Sequence, residues 1–411
     1  MRSARHAGRG FFPLDEELEL LSGKLTPREH ERLVRLSGWV PFERAVELLD
    51  EFMGIAIDKS MAQNYTEAAG AIYVQMQEEE VLRLEREMPE AAAGAEKMQI
   101  SADGAMVPLL HGIWAEVRTL VIGEVETSKR EQGEQEIHAR HLSYFSRKVN
   151  AQEFQRLALV EMQRRGVENA KEVAAVMDGA DWEQSFIDFH CPQAVRILDF
   201  AHAAQHISQI GEYMYGEHAP ESQAWLKERL HRLKHEGPDT ILSEFEKLQR
   251  KHPEAQAISS NLAYLKKRKA QLQYPRFQAQ GWPIGSGIVE SGNKLVVEAR
   301  LKGAGMHWAE AHVNPMLAIR NILCSGRWKE EWPKIEARLR KQARQRSKSV
   351  HQSHHPPQPT TLVARALRGD FGNTFSQPAE QELISPKPRN NPWRNFKHGK
   401  ALYQRSTPPK I

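Results

Sequence analysis

Between Met98 and Asp199 the hydrophobic pattern changes period, and two short runs there restrict the fold more than anything else in the chain. Val173-Ala-Ala-Val-Met-Asp178 and Ala194-Val-Arg-Ile-Leu-Asp199 are short and mostly apolar without alternation. That is the pattern of strands covered on both faces, as parallel strands joined by crossover helices are. Ahead of them, Met98-Gln-Ile-Ser-Ala-Asp103 alternates and then meets Gly104, while Ile113 to Val125 and His141 to Val149 are rich in β-branched and aromatic residues. Three such stretches with short connections predict an antiparallel meander. Asn150 to Arg165 is amphipathic at helical spacing, and Asp181 to Phe189 fits a helical turn or more. The order β-β-β-α-β-α-β predicts an α/β protein with a mixed sheet, two of its strands joined by crossovers, covered by helices.

The flanks are helical in pattern. Thr26 and Pro27 form a cap and first-turn pair, Phe42 to Met53 places Phe42, Ala45, Val46, Leu48, Leu49 and Phe52 at i, i+3, i+4 spacing before Gly54, and Asp58 or Ser60 starts a third helix. Helix, short turn and helix predicts a helix-turn-helix-like region over residues 1–95, a geometry that suits DNA but also serves plain helical packing. The first part of the sheet domain then spans 96–200. Residues 201–280 read as an all-helical insertion, 281–330 as final core helices after the Gly281-Trp-Pro-Ile-Gly-Ser-Gly287 break, and 331–411 as a basic, largely disordered tail.

Charge divides the chain more sharply than its total shows. From Lys334 to Ile411 there are 16 Lys/Arg against 4 Asp/Glu, a net of +12; with +4 for the whole chain, the remainder carries −8. An acidic body with a basic tail fits a polyanionic partner. Two cysteines, Cys191 and Cys324, exclude a zinc ribbon or disulfide framework within these residues. No apolar run approaches the roughly 20 residues that cross a bilayer, and the N-terminus has no signal-peptide core, so a soluble cytoplasmic protein is expected.

Two apolar strands end in the same triplet, Asp103-Gly104-Ala105 and Asp178-Gly179-Ala180. Either alone reads as a turn. Together, at the carboxyl ends of sheet strands and joined by Glu290 after a glycine-rich loop, they read as a carboxylate cluster in the crevice where open α/β sheets bind ligands. Such a cluster calls for divalent metal, and hard oxygen donors favour Mg²⁺ or Mn²⁺. Two ions about 3.5–4 Å apart could serve phosphodiester chemistry.

Asp103, Asp178 and Glu290 in this order, with Asp199-Phe-Ala-His202 and a helical stretch before the glutamate, resemble DDE transposases with a ribonuclease-H-like core. Within them the chain is similar to bacterial ISKra-type insertion-sequence transposases, relatives of Mutator-like elements. The similarity runs from FFPLDEEL at Phe11 through VMDGADW, LDFAH and PIGSGIVESGNKLVVEARLKGAGMHW to Asn390-Asn-Pro-Trp-Arg394. It implies a transposase that cleaves DNA and transfers strands, with Asp103, Asp178 and Glu290 as catalytic and metal-holding residues, Asp199 and His202 in support, and two Mg²⁺ or Mn²⁺ ions. DNA partners, a homo-oligomer, no membrane and a nucleoid-associated cytoplasmic location follow from the same resemblance. Family members usually carry a further N-terminal segment with cysteine ligands, and this chain starts close to the FPLD motif. A truncated or impaired DNA-binding descendant and a metal nuclease without joining activity are the competing classes.

Among secondary candidates, Arg300 and Lys302 could contact phosphates or simply end a helix. Lys266, Lys267, Arg268 and Lys269 form a basic cluster on the insertion, a DNA contact or a solvated face. Asp181 is expected at a helix N-cap, Trp308 in a core gap. His202 and His206 sit four apart but lack the glutamate of a zinc motif.

Overall fold

In the computed structural model, residues 25–129 and 135–353 are described, and the chain divides into two units after Ser353. The FFPLDEEL and Asn390–Arg394 motifs lie outside the described residues, as does the tail beyond Ser353. Helices α1 (Pro27–Trp39), α2 (Phe42–Met53) and α3 (Lys59–Glu87) precede the sheet. A reciprocal Thr26–Glu29 capping box starts α1, Gly54 in the left-handed region ends α2, and Asp58 caps α3 through Met61 N–H at 2.8 Å.

Strands β1 (Lys97–Pro108), β2 (Trp114–Lys129), β3 (Gln135–Arg147), β4 (Glu172–Met177) and β5 (Val195–Leu198) form one sheet in the order β3-β2-β1-β4-β5. The first three pair antiparallel; β4 and β5 add in parallel beyond β1. Helices α4 (Ala151–Arg164) and α5 (Asp181–His190) are the two crossovers. The element order is the one the periodicity predicts, because the two buried runs need cover on both faces, which α4 and α5 supply on one and the helices after β5 on the other.

One face of the sheet, with Met98, Ile100, Ala102, Leu120 and Ile122, packs on Phe154, Leu157, Phe186 and Ile187 of α4 and α5. On the other face, Ala174, Val176 and Ile197 meet the insertion, α6 (Phe200–Tyr215), α7 (Pro220–His235), α8 (Asp239–Lys251), α9 (Gln256–Lys267) and α10 (Tyr274–Ala279). Beside them on that face, Ala105, Val107, Val117 and Val121 meet α11 (Gly287–Gly292), which runs on through a π-helical turn (Asn293–Glu298) and a last turn (Ala299–Leu301).

The helices before the sheet are not a separate body. Val34, Ala69, Ile72 and Tyr73 of α1 and α3 share a core with Ile319 and Ile322 of α12 (Glu310–Cys324) and with Trp328, Trp332 and Ile335 of α13 (Trp328–Ser353). At Gly70 a Cβ would overlap the Pro315 backbone, so the glycine is what allows α3 to lie directly on α12. The start of the expected basic tail is therefore a docked helix. Its apolar residues at i, i+4 and i+7 bury two tryptophans despite the charge around them.

Candidate carboxylate site

Asp103 does not end its strand. β1 continues through Gly104 to Pro108, because β2 supplies a ladder partner for every residue, Asp103 opposite Thr119 and Gly104 opposite Arg118. The β4 ladder stops earlier. β1 and β4 pair from Lys97↔Glu172 to Ile100↔Ala175, an offset of 75 (172 − 97), and β4 and β5 from Ala174↔Val195 to Met177↔Leu198, an offset of 21 (195 − 174). Carried three residues past Ile100, the same offsets put Asp103, Asp178 (103 + 75) and Asp199 (178 + 21) in one row across three parallel strands. The sheet thus sets three aspartates side by side at the carboxyl edge of its parallel half.

Each is held differently. Asp103 Oδ1 accepts the Gly104 N–H at 2.6 Å, and Oδ2 accepts the Asn293 Nδ2 amide at 2.9 Å. Burial, with Asp178's charge adding to it, lifts the Asp103 carboxyl above the usual range against these hydrogen bonds. Asp178 is pushed up to about 6, first by burial and then by Asp199. Its Oδ2 lies 3.6 Å from His202 Nδ1. Asp199 caps α6 through the His202 N–H at 2.8 Å and accepts the Ser286 N–H at 2.7 Å. It therefore ties the Gly281–Gly287 loop to the end of β5. Phe200 N–H to Ile284 carbonyl at 3.0 Å and Gln99 Nε2 to Gly285 carbonyl at 3.3 Å complete that attachment.

The loop delivers α11 to the sheet, but the carboxylates are not all together. Asn293 touches Asp103, and Glu290 lies three residues before it, one turn away on the same side of the helix. The Glu290 carboxylate itself is exposed and ion-paired with Lys294 at 2.5 Å, which holds it below the usual range. Among the described residues no three His, Cys, Asp or Glu side chains group as metal ligands. The structure sets Asp103 near enough to Asp178 for their charges to interact and brings Glu290's helix, though not its carboxylate, onto Asp103 through Asn293.

Sequence reasoning overlooked Glu183. On α5, five residues after Asp178, it is 2% exposed, and its Oε2 accepts the Gly179 and Ala180 N–H groups at 2.8 and 3.1 Å. Burial, then the Asp178 charge, pushes it up to about 8. A glutamate in the first turn reads as an ordinary capping residue, and without Ser or Thr at position 180 its inward direction left no signal. Asn293 was overlooked too, though its spacing of i+3 from Glu290 marks it.

Raised carboxyls have a defined sign in stability. Glu183 and Asp178 take up protons on folding, so their contribution is full below about pH 4 and is lost as pH rises to about 6 for Asp178 and about 8 for Glu183. In metal-free buffer the melting temperature should fall between pH 5 and pH 8, and Glu183→Gln should flatten the upper half of that fall. An unchanged slope in thermal melts of Glu183→Gln would remove the assignment.

Of the basic candidates, Arg300 and Arg268 turn inward, whereas Lys302, Lys266, Lys267 and Lys269 stay at the surface. Arg300 is 2% exposed; it donates to the Ser37 carbonyl at 2.9 Å and lies over the Phe42 and Trp308 rings, so it ties α11's end to α1 and offers no surface to a phosphate. Lys302 pairs with Glu298 at 2.7 Å. Lys266, Lys267 and Lys269 are exposed and pair with Glu246, Asp181 and Asp239. Arg268 turns inward onto the Gly179 carbonyl. Asp181 is the first residue of α5 and Ala180 its cap, which corrects the expected N-cap. Trp308 is in the core, its indole donating to the Leu301 carbonyl at 3.1 Å. His202 and His206 meet Nε2 to Nε2 at 3.3 Å. No helix among the described residues is long and apolar enough to cross a membrane.

No family model matches the chain, and no curated protein matches it.

Proposed function

We propose that the chain is a metal-dependent DNA transposase of the DDE type, cleaving phosphodiesters and transferring strands from a ribonuclease-H-like core. The observation that carries this reading is Asp103 on β1 beside Asp178, which follows the last residue of the parallel neighbour β4 and whose charge acts on Asp103, with Asn293 bringing the Glu290 helix onto Asp103. The strand order β3-β2-β1-β4-β5, antiparallel then parallel, supports the core, and the sequence resemblance supplies the reaction.

The residues fit a divalent cation. Two carboxyls raised by burial and crowding mark a concentration of negative charge that a cation would relieve, and Asn293 Oδ1 beside them is buried without a hydrogen-bond partner. Asp103 and Asp178 would hold the metal, and Glu290 would join them by leaving Lys294. Bound Mg²⁺ or Mn²⁺ supplies activation of the attacking water or 3′-hydroxyl and stabilisation of the leaving oxygen. The chain's own part is orientation: Gly104 and Asn293 fix both Asp103 oxygens, Asp199 fixes the loop that carries α11, and the exposed Lys266, Lys267 and Lys269 offer charge to the DNA backbone. Assembly as a homo-oligomer on paired DNA ends belongs to this reading.

The test is a gel assay on duplex DNA taken from both flanks of the gene, with plasmid as target and Mg²⁺ or Mn²⁺. Wild-type protein should nick the flank and form plasmid-linked product, and Glu290→Gln should lower both by about two orders of magnitude. Nicked product without joining would reduce the protein to a nuclease, and shifted but uncut DNA would leave a binder.

A further inference from the structure

The loop 178–180 is held from two sides. From α5, Glu183 takes its two N–H groups. From the insertion, the Tyr264 hydroxyl donates to the Asp178 carbonyl, and the Arg268 guanidinium donates to the Gly179 carbonyl through Nε at 3.0 Å and again through Nη2. Arg268 is 7% exposed, and among the described residues it forms no ion pair. Its charge lies 3.7 Å from the Tyr264 ring centroid, and Tyr264 stacks on His206 at 3.8 Å. His206 Nδ1 meets Asn261 Oδ1 at 2.6 Å; the Asn261 amide nitrogen is committed to the Ala257 carbonyl, so the histidine is the donor there. Gly179 has φ +79°, and a Cβ on it would overlap Arg268 Nε, so the loop and the arginine fit only with glycine between them.

A buried guanidinium normally answers a carboxylate. Here it answers a neutral carbonyl one residue from Asp178, so its donors are spent on holding that loop's backbone. We propose that Tyr264 and Arg268 are positioning residues, by which the insertion latches the Asp178 loop and sets that carboxylate beside Asp103. The insertion is then part of the metal-holding site as well as the carrier of the exposed Lys266, Lys267 and Lys269. This rests on the reading of Asp178 as a metal-holding carboxylate.

Hydrogen exchange of the segment 176–184 in the full chain reads the latch directly. Arg268→Gln should speed exchange of the Gly179 and Ala180 amides about tenfold or more, with α4 unchanged, and Arg268→Lys should fall between. Tyr264→Phe, which removes one hydroxyl and leaves the ring stack, should act in the same direction and decides the matter if Arg268→Gln fails to fold. In plasmid nicking the Mn²⁺ concentration for half-maximal rate should rise several-fold while the KM for DNA stays put. Wild-type exchange rates in both Tyr264→Phe and Arg268→Lys would overturn the proposal. Wild-type protein that binds no Mn²⁺ would instead remove the functional reading, with the exchange result still judging the latch.

Discussion

Asp178→Asn should lose metal-dependent DNA cleavage by at least about two orders of magnitude and, in metal-free buffer at pH 7, should melt at a higher temperature than the wild type. Both signs have one cause. Burial and the Asp199 charge push the Asp178 carboxyl up to about 6, so at pH 7 the folded protein holds an anion where the fold disfavours one. An amide of the same shape removes the anion and the repulsion, and with them the proposed metal-holding group. Since the side chain is 40% exposed, solvent screens part of the effect, and the rise should be a few degrees at most, read by thermal melts. A variant that melts lower, or that cuts DNA at the wild-type rate, contradicts the assignment.

The largest stability loss should come from Arg327→Ala, about 3–5 kcal/mol. Arg327 meets Glu161 of α4 with two donors at 2.6 Å, and Glu161 is 3% exposed. Truncating the arginine leaves a buried carboxylate whose strongest partner is gone. Nearby, Arg164 pairs with the equally buried Glu331 at 2.9 Å, so α4 is tied to α13 by charges with little water between them. Urea unfolding of the variant should show the loss with little change in slope, and Glu161→Gln in the same background should recover much of it, because no uncompensated anion then remains. Equal stability of Arg327→Ala and wild type would show that the pair is screened.

The strands and their order along the chain were legible, the last two because short apolar runs fit buried strands, and the helix caps at Thr26, Gly54 and Asp58 are local chemistry; the order of strands within the sheet was not. Strand ends were not. Asp103-Gly104 has the composition of a turn, yet β2 pairs through it, and a ladder partner far along the chain overrides a local signal. The aspartate row depends on register between strands some 75 and 21 residues apart, which no local pattern encodes. Arginine misled most. Arg300 and Arg268 sit among lysines in the sequence, but a guanidinium that finds carbonyls and aromatic faces is stable inside, and charge composition alone reads it as surface. Trp328, Trp332 and Ile335 carried helical spacing that the net charge of the region masked.

The proposed chemistry requires Asp103 and Asp178 to form one cation site. Mn²⁺ titration of the full chain by electron paramagnetic resonance measures that site without any DNA or turnover. The prediction is saturable Mn²⁺ binding in the wild type that Mg²⁺ displaces, and its loss in Asp103→Asn and in Asp178→Asn separately. Equal Mn²⁺ binding by the wild type and both variants, or none by the wild type, would contradict it.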